Sequence, residues 1–304
     1  MKINRLQKVF AASGGLVLAL LFAAALGQAH YKAELLGPEG HYFNSNAVRI
    51  HYTDEGVGAP VLLVHGLAFA ANLEWRRSGL IDALLAQHYR VIALDNRGHG
   101  RSAKPHDPEA YGAEMAEDLD RLLDHLELPR ALVVGYSMGG FITLKFVVTH
   151  PERVISAAVC GAGWNEPTPE NLAFSEAVAE AFERGEAGPL PQRLGMQARF
   201  ASFIESLGVR AFLTWFNDPL ALAAVARGSR GLGVTDTQLR ANTVPVLTVI
   251  GENDGLLPEA QALHERMANH QLVILPGKNH MNTDSSKVFR ANIEEFLRQY
   301  AQAS

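Results

Sequence analysis

Short apolar runs rich in β-branched residues alternate with longer segments of helical periodicity from residue 47 to the end of the chain, and nothing else in the sequence restricts the fold as much. This alternation implies an α/β fold with a mostly parallel sheet. It predicts strands at Ala47–Thr53, Pro60–His65, Arg90–Asp95, Ala131–Gly135, Val154–Cys160, Val246–Gly251 and Gln271–Leu275. Several of these are almost wholly apolar, as strands covered on both faces are. Helices are expected around 75–88, 109–127, 138–150, 258–269 and 284–300. The second is expected to begin at Asp107-Pro108, an N-cap followed by proline at the first helical position.

From Trp164 to Thr243 the alternation stops. The segment has no strand pattern, several prolines, and an apolar set at helical spacing: Phe174, Val178, Phe182, Phe200, Phe203, Ile204, Leu207, Phe212, Trp215 and Phe216. It reads as a helical insertion, 164–243, between two strands of a core formed by 30–163 and 244–304. In an open α/β sheet an insertion after a strand's carboxyl end lies where ligands bind, so a cap over a cleft is expected, with Trp164, Trp215 and Phe216 as pocket residues.

The amino terminus has the form of an export signal. Lys2, Arg5 and Lys8 precede an apolar run from Val9 to Leu26, and small residues follow to Ala29. Residues 1–29 are therefore expected to direct the chain to the periplasm or medium and be cleaved. The alternative is an uncleaved membrane anchor over residues 9–26. The formal net charge of −5 includes these three cations, so the rest is more acidic still, which argues against a nucleic-acid partner. A 48% apolar, 19% charged composition excludes general disorder, and the single Cys160 excludes a disulfide framework or a cysteine-rich metal site.

The strongest chemical signal is Gly135-Tyr136-Ser137-Met138-Gly139, lying between the apolar run Ala131–Val134 and the apolar helical segment from Phe141. A serine exposed on a sharp strand-to-helix turn needs small residues two positions to either side, and glycine occupies both. A hydroxyl is a weak nucleophile at neutral pH and requires a base oriented by an acid. Asp254 follows the strand at 246–251, with Glu252 as a rival. Of the 12 histidines only His264, His270 and His280 follow that acid, and only His280 falls in the loop after the last strand. Ser137, Asp254 and His280 are thus the expected triad. Oxyanion donors are expected from the backbone N–H groups of Met138 and of Leu67, in the loop after Pro60–Gly66, with Ala68 as fallback. The turn Asp95-Asn96-Arg97-Gly98-His99-Gly100-Arg101-Ser102 lacks a phosphate-loop ending and is expected to brace the oxyanion loop through a salt bridge.

Together, Leu63-Val64-His65-Gly66, the turn at 95–102, Gly135-Tyr136-Ser137-Met138-Gly139-Gly140, Gly251-Glu252-Asn253-Asp254 and Asn279-His280 resemble the α/β-hydrolase superfamily over essentially all of 40–302. Within it the chain looks like single-cap esterases, C–C hydrolases and cofactor-free haloperoxidases. The resemblance implies an eight-stranded, mostly parallel sheet with a helical cap, and it implies nucleophile, acid and base at Ser137, Asp254 and His280 with no metal or cofactor. The serine at 137 argues against haloalkane dehalogenases and epoxide hydrolases, whose nucleophile is aspartate. The expectation is a serine hydrolase of small, apolar carboxylic esters with short to medium acyl chains. A C–C or lactone hydrolase using the same triad is the alternative reaction. A non-catalytic ligand receptor on the same scaffold is the alternative class.

Overall fold

Strict alternation in Pro60–Val64 divides the protein into two layers. Leu62 and Val64 face one side of the sheet, where they pack with residues of the helices that follow Gly112 and Ser137. Val61 and Leu63 face the other, against the helix at 80–86 and the last helix of the chain. Successive side chains of a strand point to opposite faces, so an apolar run with no polar member needs cover on both. The computed structural model describes residues 30–164, 166, 168–196 and 208–301. Met1–Pro38 and Glu39–Ser304 form separate units, and the sheet belongs to the second. The predicted signal segment lies outside the described residues. Among the described residues no helix is long and apolar enough to cross a membrane.

The sheet has eight strands: β1 His41–Ser45, β2 Val48–Glu55, β3 Pro60–Val64, β4 Arg90–Leu94, β5 Ala131–Tyr136, β6 Val154–Cys160, β7 Val246–Gly251 and β8 His270–Leu275. Their spatial order is β1-β2-β4-β3-β5-β6-β7-β8. β1 and β2 pair antiparallel, β2 runs antiparallel to β4, and every other pairing is parallel. The chain leaves β3 toward one edge and β5 toward the other. The carboxyl ends of these two neighbours therefore border the crevice at which open α/β sheets bind ligands. The expected parallel sheet is present, with one strand more than the alternation predicted. β1 is the addition: it pairs with β2 through a tight turn in which Asn46 (φ 48°) and Ala47 (φ 65°) are both left-handed. Ala47 is thus a turn residue, not the start of a strand.

Two helical expectations need correction. Asp107 caps only the short 3₁₀ turn Pro108–Ala110; the α-helix, Ala113–His125, starts after Gly112, whose φ of 64° breaks the run. The segment expected as one helix over 75–88 is a π-helical turn, Asn72–Arg76, and an α-helix, Leu80–Ala86, separated by left-handed Gly79. The helices after β5, β7 and β8 lie at Met138–Thr149, Leu257–Arg266 and Lys287–Tyr300, the last capped by Ser286.

Between β6 and β7 the described residues hold no strand. They form helices at Pro169–Glu183, Leu190–Arg193, Pro219–Gly228 and Asp236–Ala241, a π-helical turn at Phe212–Phe216 and a 3₁₀ turn at Ser229–Leu232. Prolines occupy first-turn positions in three of these helices, where their missing N–H costs nothing. Val178, Phe182, Leu213, Leu222 and Ala223 form a local core joined by Ala68 from the loop after β3. Phe200, Phe203, Ile204 and Leu207 lie outside the described residues.

Candidate active site

Ser137 stands between β5 and the helix Met138–Thr149 with φ 54° and ψ −121°, a conformation non-glycine residues avoid. The glycines on either side explain how so tight a turn fits. A Cβ on Gly135 would lie 2.1 Å from the carbonyl oxygen of Gly139, and one on Gly139 would lie 1.9 Å from that of Val64. The turn presents the serine half-buried at the carboxyl edge of the sheet.

Oγ of Ser137 lies 2.9 Å from Nε2 of His280, and Nδ1 of His280 lies 2.9 Å from Oδ2 of Asp254. A carboxylate on Nδ1 selects the tautomer that leaves Nε2 free to accept the serine hydroxyl. Asp254 is buried, and its Oδ1 accepts the Leu256 N–H at 3.0 Å. The rival acid Glu252 is exposed and turns away, accepting the Gly277 N–H. Tyr136 steadies the base from behind: its hydroxyl donates to the His280 carbonyl at 2.6 Å, and the two rings lie 5.4 Å apart. The other two late histidines are remote from this constellation. His270 lies against Thr248 and His264, and burial lowers its pKa to about 4.

The expected oxyanion donors are on the same edge. Met138 is the first residue of its helix, so its N–H has no intrahelical acceptor and sits at the positive end of the dipole. The Leu67 N–H has no backbone acceptor among the described residues, and Leu67 lines the cavity beside Ser137 whereas Ala68 does not. The backbone of Gly66 passes so near that a Cβ there would lie 3.3 Å from that of Ser137. Ala68, left-handed at φ 63°, is anchored by Asn217 of the helical insertion, which donates to its carbonyl at 3.0 Å.

The turn at 95–102 braces this loop, but by hydrogen bonds to backbone groups and to His65 rather than by the expected salt bridge. The Asn96 backbone N–H donates to Nε2 of buried His65 and its side-chain amide to the His65 carbonyl, while Oδ1 of Asp95 accepts the Ala71 N–H. The charge of Arg97 goes elsewhere: fully buried, it forms a two-pronged pair with Asp118 at 2.7 and 2.6 Å. His99 lies edge-on to His65, and burial lowers its pKa to about 3. His65 is thus a structural histidine, neutral for the same reason.

A cavity of about 290 Å³ opens over Ser137. Its apolar lining includes Phe141 and, from the insertion, Leu172, Phe174, Val178, Leu190, Leu194 and Val225. Its polar lining includes Glu74, Arg77, Ser78, Asp284 and Ser285 and, from the insertion, Asn171, Ser175, Arg193, Ser229 and Arg230. None of the expected pocket residues Trp164, Trp215 and Phe216 is on its lining. Trp164 packs beside the core, donating Nε1–H to the Val234 carbonyl at 2.8 Å beneath the guanidinium of Arg266. Phe216 is buried and stacked on Phe212, which in turn meets Phe69; of these three rings only Phe69 reaches the cavity. The π-helical turn at 212–216 directs these side chains inward, into the insertion's own packing.

Sequence reasoning missed Glu74, Asp284, Tyr136 and Asn217. For Glu74 a signal existed: it is the only charged residue between Gly66 and Trp75, and an isolated charge in an apolar run beside an oxyanion loop has no solvated face to occupy.

A family profile described as alpha/beta hydrolase fold matches residues 59–198. The putative non-heme chloroperoxidase of a Synechocystis species is 30% identical over 256 residues, covering 78% of this chain and 90% of the relative. The chain belongs to the α/β-hydrolase family. The non-heme haloperoxidase of Rhodococcus erythropolis is also 30% identical, over 280 residues, 83% of this chain and 97% of its own. Among solved structures, a thermophilic esterase from Thermogutta terrifontis superimposes with a TM-score of 0.71 at 24% identity, covering 87% of this α/β-hydrolase and all of that chain. The enol-lactonase of Burkholderia xenovorans superimposes at 0.69 with 22% identity, covering 85% and 100%. At these identities the likeness to solved structures is one of fold.

Proposed function

We propose that this α/β-hydrolase cleaves carboxylic esters through an acyl-enzyme formed on Ser137, with a preference for short to medium acyl chains. The observation that carries this reading is the pair of 2.9 Å contacts joining Ser137, His280 and Asp254 beside two free backbone N–H groups. His280 takes the Ser137 proton as Oγ attacks the ester carbonyl. The oxyanion that forms accepts hydrogen bonds from Leu67 and Met138 N–H, and Asp254 stabilises the transient imidazolium. His280 then returns the proton to the departing alcohol. A water activated by the same imidazole releases the acid and restores the serine.

The helices between β6 and β7 act as a cap, and their apolar residues on the cavity lining accommodate the acyl chain, each buried CH₂ contributing about 0.8 kcal/mol. A cavity of about 290 Å³ has no room for long chains. The basic and apolar segment at 1–29 supports export. The haloperoxidase relatives and the lactonase-like fold keep lactone cleavage as a second reading, since the same triad and oxyanion donors serve both. A survey of p-nitrophenyl esters from acetate to palmitate, with γ- and δ-lactones alongside, tests the proposal. Highest kcat/KM is expected at butyrate to octanoate. Superior turnover of emulsified long-chain triglycerides, or of lactones over every ester, would overturn it.

A further inference from the structure

Glu74 is 5% exposed and lines the same cavity as Ser137. Its position follows from the π-helical turn Asn72–Arg76, whose wider winding buries Leu73, Glu74 and Trp75 in succession. Oε2 accepts the Gly66 N–H at 2.5 Å, while Oε1 has no hydrogen-bond partner among the described residues. Burial holds this carboxyl well above the ordinary range, and the nearby charge of Asp284 adds to the effect. Both effects favour the neutral acid, in which one oxygen accepts from Gly66 and the other offers an O–H to the cavity. Asp284 lines the same cavity; burial raises the pKa of its carboxyl, opposed by a backbone hydrogen bond at Ser285 and by Arg77 and His280. A donor and an acceptor thus meet in one small space.

We infer that the Glu74–Asp284 part of the cavity is a subsite for the alcohol half of the substrate, and that it selects alcohols carrying a further hydroxyl, as in glycol or glycerol monoesters. This rests on the ester-hydrolase reading. The placement of the alcohol half follows from the chemistry: His280 must protonate the departing oxygen, and His280, Asp284 and Ser285 lie on one loop, whereas most of the apolar lining comes from the insertion. A hydroxyl both donates and accepts, which matches the carboxyl groups of Glu74 and Asp284, able between them to offer an O–H and acceptor oxygens. A carboxylate on the alcohol half would add a third acid to this pair in a largely buried site, which is unfavourable. A plain alkyl group would leave the Glu74 O–H without a partner in a buried site, which is the costly case.

The test is the ratio of kcat/KM for 2,3-dihydroxypropyl butyrate to that for propyl butyrate. The ratio cancels any general loss caused by disturbing Gly66 and the oxyanion loop. Wild type should favour the dihydroxypropyl ester about tenfold, the scale of one or two well-formed hydrogen bonds. Glu74→Leu should bring the ratio to near one. Glu74→Gln, which keeps an acceptor for Gly66 and a donor for the cavity, should hold it within about threefold of wild type. If Glu74→Leu does not fold, product inhibition of wild type decides, with glycerol expected to inhibit at lower concentration than 1-propanol. A wild-type ratio at or below one, a ratio unmoved in Glu74→Leu, or equal inhibition by the two alcohols overturns the subsite and leaves ester hydrolysis standing. Absence of turnover of both esters, with no labelling of Ser137 by a fluorophosphonate, overturns ester hydrolysis itself and the subsite with it.

Discussion

The two halves that enclose the cavity are built on different principles. On the sheet side, directional hydrogen bonds fix the residues around Ser137: Asp254 to Leu256, His280 to Asp254, the His280 carbonyl to Tyr136, and the loop after β3 to Asn96 and Asp95 through His65 and Ala71. On the insertion side, apolar lining residues interspersed with Asn171, Ser175, Arg193, Ser229 and Arg230 are backed by packing around Val178, Phe182 and Leu222, with Asn217 as a polar tie to the loop after β3. Directional bonds hold atoms to a fraction of an ångström, which proton transfer and oxyanion stabilisation require. Apolar packing holds shape and volume, which is enough to sort acyl chains by length. Changes on the sheet side should therefore cost rate, and changes on the insertion side should alter substrate preference or stability.

The largest effects are expected at the triad. His280→Ala should lower kcat on p-nitrophenyl butyrate by about 10³-fold or more, with Asp254→Asn losing somewhat less and KM little changed in either. Glu252→Gln should stay within about twofold of wild type, since its carboxylate only receives the Gly277 N–H at the surface. Comparable damage from Glu252→Gln and Asp254→Asn in steady-state assays would move the acid to the wrong strand-end residue.

On the insertion side the contrast is between two phenylalanines. Phe216 is buried away from the cavity, so Phe216→Ala should lower stability by about 3–5 kcal/mol and leave the acyl-chain optimum in place. Phe174 lines the cavity, and Phe174→Ala should move the optimum toward longer chains at a smaller stability cost. Denaturant melts and chain-length profiles of both variants check this, and a shifted optimum in Phe216→Ala would erase the distinction between lining and packing.

That Ser137, His280 and Asp254 come together was legible in the sequence because these residues carry local signatures: glycines where a Cβ cannot fit around Ser137, and loops placed by the apolar strands before them. Asp254 could be preferred over Glu252 only provisionally, since both follow β7 and the choice depends on which carboxylate turns under His280. The pocket was not legible. Apolar residues at helical spacing in 164–243 are equally suited to face the cleft or one another, and the π-helical turn that turns Phe216 inward has no periodicity to announce it. β1 was missed for a related reason. His41–Ser45 is an edge strand with half its side chains in solvent, so it lacks the apolar run that marked the buried strands. The salt bridge of the 95–102 turn was expected at the oxyanion loop because Asp118, the partner of Arg97, lies on a helix that sequence spacing does not bring near this turn.

The smallest expected effect concerns the bracing turn under acid. His99 has a folded-state pKa of about 3, lowered mainly by burial, whereas an unfolded histidine titrates near 6.5. The unfolded chain thus binds the extra proton first, and this group's contribution to stability is present above about pH 6.5 and lost progressively as pH falls toward 3. Urea midpoints measured from pH 7 to 4.5 should fall more steeply for wild type than for His99→Asn. The difference in slope is at most one proton, about 1.4 kcal/mol per pH unit. Parallel slopes would mean that His99 is not held neutral.

The nucleophile is the central claim, and covalent capture tests it most directly. Wild type treated with a fluorophosphonate should lose ester turnover in step with the gain of one adduct, mapped by mass spectrometry to the peptide containing Ser137, and Ser137→Ala should show neither adduct nor turnover. Undiminished ester hydrolysis by Ser137→Ala, or inactivation with the adduct on another residue, would contradict the account.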